Sequence, residues 1–204
     1  MFDNLDEYDF NNTTNICTNN NELINRIKEL EFGKEIIKIG INDSKNIVYV
    51  CDDINIDRID NKLFYIQFLD NMHHNKQEGF NSYVYCDNTS DAVIDLLNAQ
   101  YNAGLASMDT DDVKKLMNNR SLKYHRFIIN EPINKINVNK IFDNIELKNK
   151  NYFFVCHSGI NISLKELDII ADGLKKRSNT GLWLCSFIDN KLGDNRIISL
   201  FIEE

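Results

Sequence analysis

Apolar positions in the first tenth of the chain follow no period. Residues 1–20 (MFDNLDEYDFNNTTNICTNN) predict a mobile, acidic, Asn-rich tail. Leu23, Ile24, Ile27 and Leu30 then fall on one side of a helix over Asn21–Phe32. Two β-rich runs, Glu35–Ile41 and Asn46–Cys51, are joined by Asn-Asp-Ser-Lys, turn chemistry that predicts a hairpin. Leu63–Leu69 is a third apolar run and fits strand or helix. Met72–Gly79 is polar and reads as a loop, and Ser82–Cys86 reads as a further strand.

The punctuation sharpens from residue 87. Asp87-Asn88-Thr89-Ser90 offers caps for a helix over Ala92–Ala103, which Gly104 ends. Its apolar residues Ala92, Val93, Ile94, Leu96, Leu97 and Ala99 occupy more than one face, so other elements should enclose it. Asp109 caps a short helix over Thr110–Met117. Lys123–Ile129 reads as a strand and Asn137–Asn144 as a weak helix. Tyr152–Cys156 is continuously apolar and suits a buried strand. Ser163-Leu-Lys-Glu166 is a capping box that opens a helix to about Lys176, with Leu164, Leu167, Ala171 and Leu174 as its stripe. That helix should cover Ile188, Ile198 and Leu200. Leu182–Ile188 and Arg196–Ile202 are strands separated by Asp-Asn-Lys-Leu-Gly-Asp. The alternation of single helices with strands predicts an α+β fold with a mixed sheet, and no internal repeat is present.

Composition narrows the classes. The 204 residues are 43% hydrophobic, enough for one large domain or two small ones with a packed core. No apolar run nears the length of a membrane-spanning helix, and the acidic start does not read as a signal peptide, so a cytoplasmic protein without membrane insertion is expected. A net charge of -8 argues against nucleic acid and anionic membrane as partners. Cys17, Cys51, Cys86, Cys156 and Cys185 are scattered, which predicts reduced and mostly buried thiols. The bias towards Asn, Ile and Lys, with Pro132 as the single proline, suggests an AT-rich genome and lowers the weight of isolated Asn as a turn signal.

Three carboxylates gather where a loop enters a helix, in Gly104-Leu-Ala-Ser-Met-Asp109-Thr-Asp-Asp112-Val. In the structural reading Asp109 caps the helix while Asp111 and Asp112 complement its dipole. In the functional reading Asp109 and Asp112, three apart, project from one side of the first turn and polarise a water or bind a cation. His73-His74, His125 and His157 are far apart in sequence, and a metal site needs three or four convergent ligands, so none is expected. Cys156-His157-Ser158 has the residue types of a nucleophile with its base, yet the apolar strand around Cys156 favours a core thiol. Trp183 reads as a sheet residue packing on the helix after Ser163.

The stretch from Gly104 through Met117 resembles the synergy loop of FtsZ, the bacterial tubulin, which reads Gly-Leu-x-Asn-x-Asp-x-x-Asp-Val. Asp109 and Asp112 match its two acids, and Ser107 stands where the family has Asn. Tyr152-Phe-Phe-Val-Cys-His-Ser-Gly159 with Ser163-Leu164-Lys-Glu166 is similar to the family's strand, glycine turn and capped helix. Leu182–Ile188, Asp189-Asn-Lys-Leu192-Gly193-Asp194 and Arg196-Ile-Ile look like its paired strands around an Ile-Asp-x-x-Leu-Gly-Asp turn. The resemblance spans about residues 90–204. It implies a tubulin/FtsZ-like C-terminal domain with central helix at 91–204, behind the tail at 1–20 and a divergent, small α/β region at 21–90. The family's linker and partner-binding tail have no counterpart before Glu204.

The family's phosphate loop, GGGTGSG, is missing. Only Gly33, Gly40 and Gly79 precede the central helix, no two of them close, and a phosphate cradle needs several converging backbone N–H groups. The first 90 residues also have about half the length of the family's nucleotide-binding half. The resemblance thus implies no cofactor and no autonomous GTPase. It implies an interaction protein of the cytoskeleton or of cell division, which docks through Ser107, Asp109, Asp111 and Asp112 on a filament-forming FtsZ/tubulin-like subunit and caps or regulates it. Two alternatives stand beside it. One is a self-assembling structural protein, its own partner, that needs no nucleotide. The other is an activator whose Asp109 and Asp112 complete a partner's GTPase site.

Overall fold

The computed structural model describes residues 14–30, 37–39, 46–51, 54–71, 76–102, 108–159, 163–178 and 182–204. Their strands are β1 (Thr14–Cys17), β2 (Ile37–Ile39), β3 (Ile47–Cys51), β4 (Phe64–Asp70), β5 (Ser82–Cys86), β6 (Arg120–Ile129), β7 (Tyr152–Ser158), β8 (Leu182–Ile188) and β9 (Arg196–Glu203). They form one sheet in the order β2-β1-β3-β4-β5-β6-β9-β7-β8. Adjacent strands are parallel throughout, except that β9 runs antiparallel to both its neighbours, β6 and β7. The helices are α1 (Asn21–Lys28), α2 (Thr89–Tyr101), α3 (Thr110–Met117), α4 (Lys135–Phe142) and α5 (Leu164–Lys175). This is the expected α+β architecture with a mixed sheet.

Strands covered on both faces read as unbroken apolar runs. All five residues of β3 and all seven of β7 are buried. On one face α1, α2 and α3 close a core that runs from Ile16 and Tyr49 through Val84 to Phe153 and Phe201. On the other face α4 and α5 cover β9 and β7, where Val138, Phe142, Leu167, Ile170 and Leu174 meet Phe154, Ile198 and Leu200. A third cluster, with Val48, Val50, Tyr65 and Phe80, lies behind β3 and β4. Every residue of α2 from Ala92 to Gln100 is buried, as its apolar residues on several faces predict. The helix touches β4 at one side and β7 and β8 at the other.

Several expectations need correction. Residues 14–17 are not part of a mobile tail, because Thr14–Cys17 is a fully buried strand inside the sheet. Thr14 and Asn15 hide it: their polarity breaks the apolar pattern, although Thr14 Oγ1 hydrogen-bonds to the Tyr101 hydroxyl at 2.6 Å. Residues 1–13 lie outside the described residues. β2 and β3 do not form a hairpin. Both pair in parallel with β1, one on each side, so they run in the same direction and are not neighbours. β8 and β9 likewise are not paired with each other, since β7 lies between them. The run at Leu63–Leu69 is a strand. Leu164 is 67% exposed, and the buried side of α5 is Glu166, Leu167, Ile170, Gly173 and Leu174. Ile198 and Leu200 lie beneath it as expected, whereas Ile188 is 43% exposed.

The parallel order sets the two ends of the molecule. α2 leaves the carboxyl edge of the sheet after β5 and ends at the amino edge, where Tyr101 reaches Thr14 at the start of β1. Its 13 residues span about 20 Å at 1.5 Å per residue.

Candidate functional site

The acidic tip of α3 stands at the amino edge. Met108 N donates to Ala99 O at 3.2 Å and fastens the tip to the end of α2, while Val113, Leu116 and Met117 anchor the helix in the core. Asp109 is the N-cap. Its Oδ1 accepts from Asp112 N at 2.7 Å, and Asp112 Oδ2 accepts from Asp109 N at 3.3 Å, a reciprocal capping box. Asp112 also lies 3.8 Å from Lys115 Nζ, and Asp111 lies 3.6 Å from Lys114 Nζ. The structural reading of these acids therefore holds. Asp109 and Asp111 nonetheless face water and Asp112 is half-buried, so the tip presents negative charge at the start of α3. Ser107 and Gly104 lie outside the described residues.

The opposite end of α2 meets the β1–α1 junction. In parallel sheets the ligand crevice lies beyond the carboxyl ends of the strands, where the strand order reverses, here between β1 and β3. The junction is only Thr18-Asn19-Asn20. Asn20 Oδ1 accepts from Glu22 N and Leu23 N, Thr18 Oγ1 accepts from Asn20 N, and Asn20 Nδ2 donates to Ser90 Oγ at 3.3 Å. The first amides of α1 are thus filled by the chain's own side chain.

Two of the resembling motifs meet at the carboxyl edge. A Cβ on Gly159, at the end of β7, would lie 2.3 Å from Gly193 O in the turn before β9. Asp189 N donates to Ser158 O at 2.9 Å across the same approach. Glu166 serves this end as well: besides capping α5 with Ser163 it accepts from Ile133 N at 2.9 Å and lies 3.5 Å from Arg196 Nε.

A buried polar cluster beneath α2 was not anticipated. Asp95 Oδ2 accepts from the hydroxyls of Tyr124 and Ser199 and from Arg126 Nε at 3.2 Å. Its Oδ1 faces His157 Nε2 at 3.4 Å. Arg126 also reaches Asp91 at 3.5 Å, and Asp91 binds Arg26 of α1 at 2.9 Å. The cluster ties α1 and α2 to β6, β7 and β9. Burial lowers the His157 pKa to about 4 against the opposing pull of Asp95, so the imidazole is neutral at pH 7. Burial, then the Asp95 charge, raises the Tyr124 phenol. The signal available was the pair Asp91 and Asp95, four apart in a helix whose middle is otherwise apolar from Ala92 to Leu97.

The cysteine readings hold where they can be followed. All five cysteines are reduced and buried. Burial raises Cys17 to about 11 and Cys185 to about 12, and also raises Cys156, which suits core thiols rather than nucleophiles. No group of three His, Cys, Asp or Glu side chains suited to a metal occurs among the described residues. His73, His74 and the Trp183 side chain lie outside them. No helix of the described residues is long and apolar enough to cross a membrane.

No protein-family model and no curated protein matches the sequence. Solved structures do match the fold. The empty FtsZ dimer of M. jannaschii aligns with a TM-score of 0.66 and 12% identity, over 94% of this chain and 88% of that one. TubZ of Bacillus thuringiensis serovar israelensis, in GDP-form protofilaments, aligns with a TM-score of 0.53 and 7% identity, over 95% and 85%. The likeness takes in much of the first 90 residues as well, where the sequence itself resembles nothing in the family. The chain has an FtsZ/tubulin-like fold.

Proposed function

We propose that this chain is an FtsZ/tubulin-like interaction protein that holds no nucleotide of its own and docks, by the acidic tip of α3, on a filament-forming FtsZ/tubulin-like subunit, which it caps or regulates. The contrast between the two ends of α2 carries this reading. At the amino edge Asp109 and Asp111 face solvent and Asp112 is half-buried, with Asp109 and Asp112 joined in the capping box of α3. At the carboxyl edge Asn20 closes the helix terminus that an anion would need, with Glu22 and Asp91 close by. A subunit with one longitudinal surface of the pair ends a filament where it binds. In this reading the tip comprises Ser107 with the three acids, residues 21–90 form a scaffold, and the reduced, buried thiols suit a cytoplasmic setting.

The test is co-sedimentation with a filament-forming FtsZ/tubulin-like protein, with GTP turnover of that partner measured in parallel. Asp109→Asn together with Asp112→Asn keeps size and cap while removing two charges. The cap reading expects at least about a tenfold loss of affinity with little change in partner turnover. A fall in partner turnover of about 100-fold would instead identify an activator. Unchanged affinity and turnover would remove the acids from any function, and sedimentation of the chain alone would favour self-assembly.

A further inference from the structure

The two edges of the sheet are built differently. Natural edge strands are kept short, or carry charge or proline, because their unpaired N–H and C=O groups invite another strand. β2 follows this rule, with three residues and Lys38 at its centre. β8 does not: its seven residues, Leu-Trp-Leu-Cys-Ser-Phe-Ile, hold no charge, proline or glycine. It pairs with β7 along its whole length and has no neighbour on its outer side among the described residues.

Both faces of β8 are occupied. Cys185 and Phe187 belong to the core under α2, and Ser186 is fully buried on the α5 side. Among the described residues nothing covers the backbone edge itself, and Ile188 at its end is 43% exposed. Such an edge fits an extended strand rather than a helix or a small molecule.

The flanking charges select the strand. Lys175 and Lys176 close α5 and lie at the end where β8 begins, while Asp189 and Asp194, with Lys191 between them, follow its other end. Neighbouring Arg177 is already held by Asp143 at 2.9 Å. A second β8 laid antiparallel brings the lysines of each copy to the aspartates of the other, whereas a parallel one opposes like charges. The antiparallel arrangement is also the self-complementary one that a twofold axis generates. We infer that β8 is the seam of a homodimer, pairing antiparallel with β8 of a second copy of this chain and joining two sheets into one. This seam is separate from the acidic tip of α3 and does not depend on it.

Sedimentation equilibrium of the full chain from about 1 to about 200 μM should show a monomer–dimer equilibrium. Hydrogen exchange should show β8 amides protected at high concentration and exchanging faster on dilution. Ile188 is 43% exposed at the end of the strand, so the urea midpoint of each variant monomer should stay close to that of the parent and serves as the control for folding. Ile188→Lys adds a cation opposite the partner's lysines and should weaken the dimer about tenfold, while Ile188→Glu, opposite the same lysines, should weaken it less. A monomer throughout that range would overturn the proposal. So would a dimer whose β8 amides are no better protected than at dilution. Equal weakening by Lys and Glu would overturn the antiparallel assignment.

Discussion

Asp95 places a carboxylate on the most buried helix of the molecule, and its stability rests on what surrounds it. Two hydroxyls and a guanidinium supply the donors that water would otherwise give. His157 adds no charge to this balance while it is neutral, although Arg126, Asp189 and Asp91 act on it and Phe187 lies against its ring. Its folded pKa of about 4 lies below the unfolded value near 6.5, so the unfolded chain takes up the proton first as pH falls. Stability from this group is complete above about pH 6.5 and is lost progressively towards pH 4, by up to about 3 kcal/mol. Urea titrations at pH 7 and pH 4.5 should show that loss, and His157→Gln, which cannot titrate, should reduce it against the common background of carboxylates. An equal loss in both proteins would mean that His157 is not held neutral. The sequence marks this residue poorly. His157 sits at the end of an apolar run, and only the register of β7 against β9 turns it towards α2.

Among the elements, those with local punctuation were legible and those fixed by distant pairing were not. Asn88, Asp109 and Ser163 each cap the helix expected of them, because a cap is a contact within four residues. The order β2-β1-β3 depends instead on parallel crossovers, which no turn residue announces. The same limit applies to β8 and β9, whose connecting turn looks like a hairpin although β7 separates the strands. The packing of α4 on α5 is another case of distant pairing. A Cβ added at Gly173 would lie 2.5 Å from Val138 Cγ1, so the glycine sets how closely the two helices approach. Gly173→Ala should cost about 1–3 kcal/mol through overpacking, despite alanine's better helix propensity. Leu167→Ala, which empties the opposite side of the same cluster, should cost about 2–5 kcal/mol. Urea unfolding measures both. A gain in stability for Gly173→Ala would show that α4 shifts freely, and a loss well under 1 kcal/mol for Leu167→Ala would show that α5 does not cover the sheet.

For the whole molecule, what decides is how the carboxyl edge is used. Parallel sheets of this kind offer a natural anion site where a strand feeds a helix and the strand order reverses. Here that place is built from Thr18, Asn19 and Asn20. The Asn20 amide oxygen takes two of the helix's free N–H groups, and the Thr18 hydroxyl takes a third amide, so the start of α1 keeps few donors for a phosphate. Among the described residues Glu22 adds a carboxylate in the first turn of α1, while Asp91, in the first turn of α2, is already bound to Arg26 and Arg126. A nucleoside triphosphate would have to displace the cap and face both carboxylates. Calorimetry with GTP and magnesium should therefore give no measurable heat of binding at about millimolar nucleotide. Asn20→Gly supplies the complementary measurement, since it frees the α1 amides at a cost of only a few tenths of a kcal/mol. Weak phosphate binding in that variant, absent in the parent, would show that the cap is what closes the site. A micromolar dissociation constant for GTP in the parent chain would mean that nucleotide is held elsewhere on the fold, and the one-surfaced docking subunit proposed above would have to be given up.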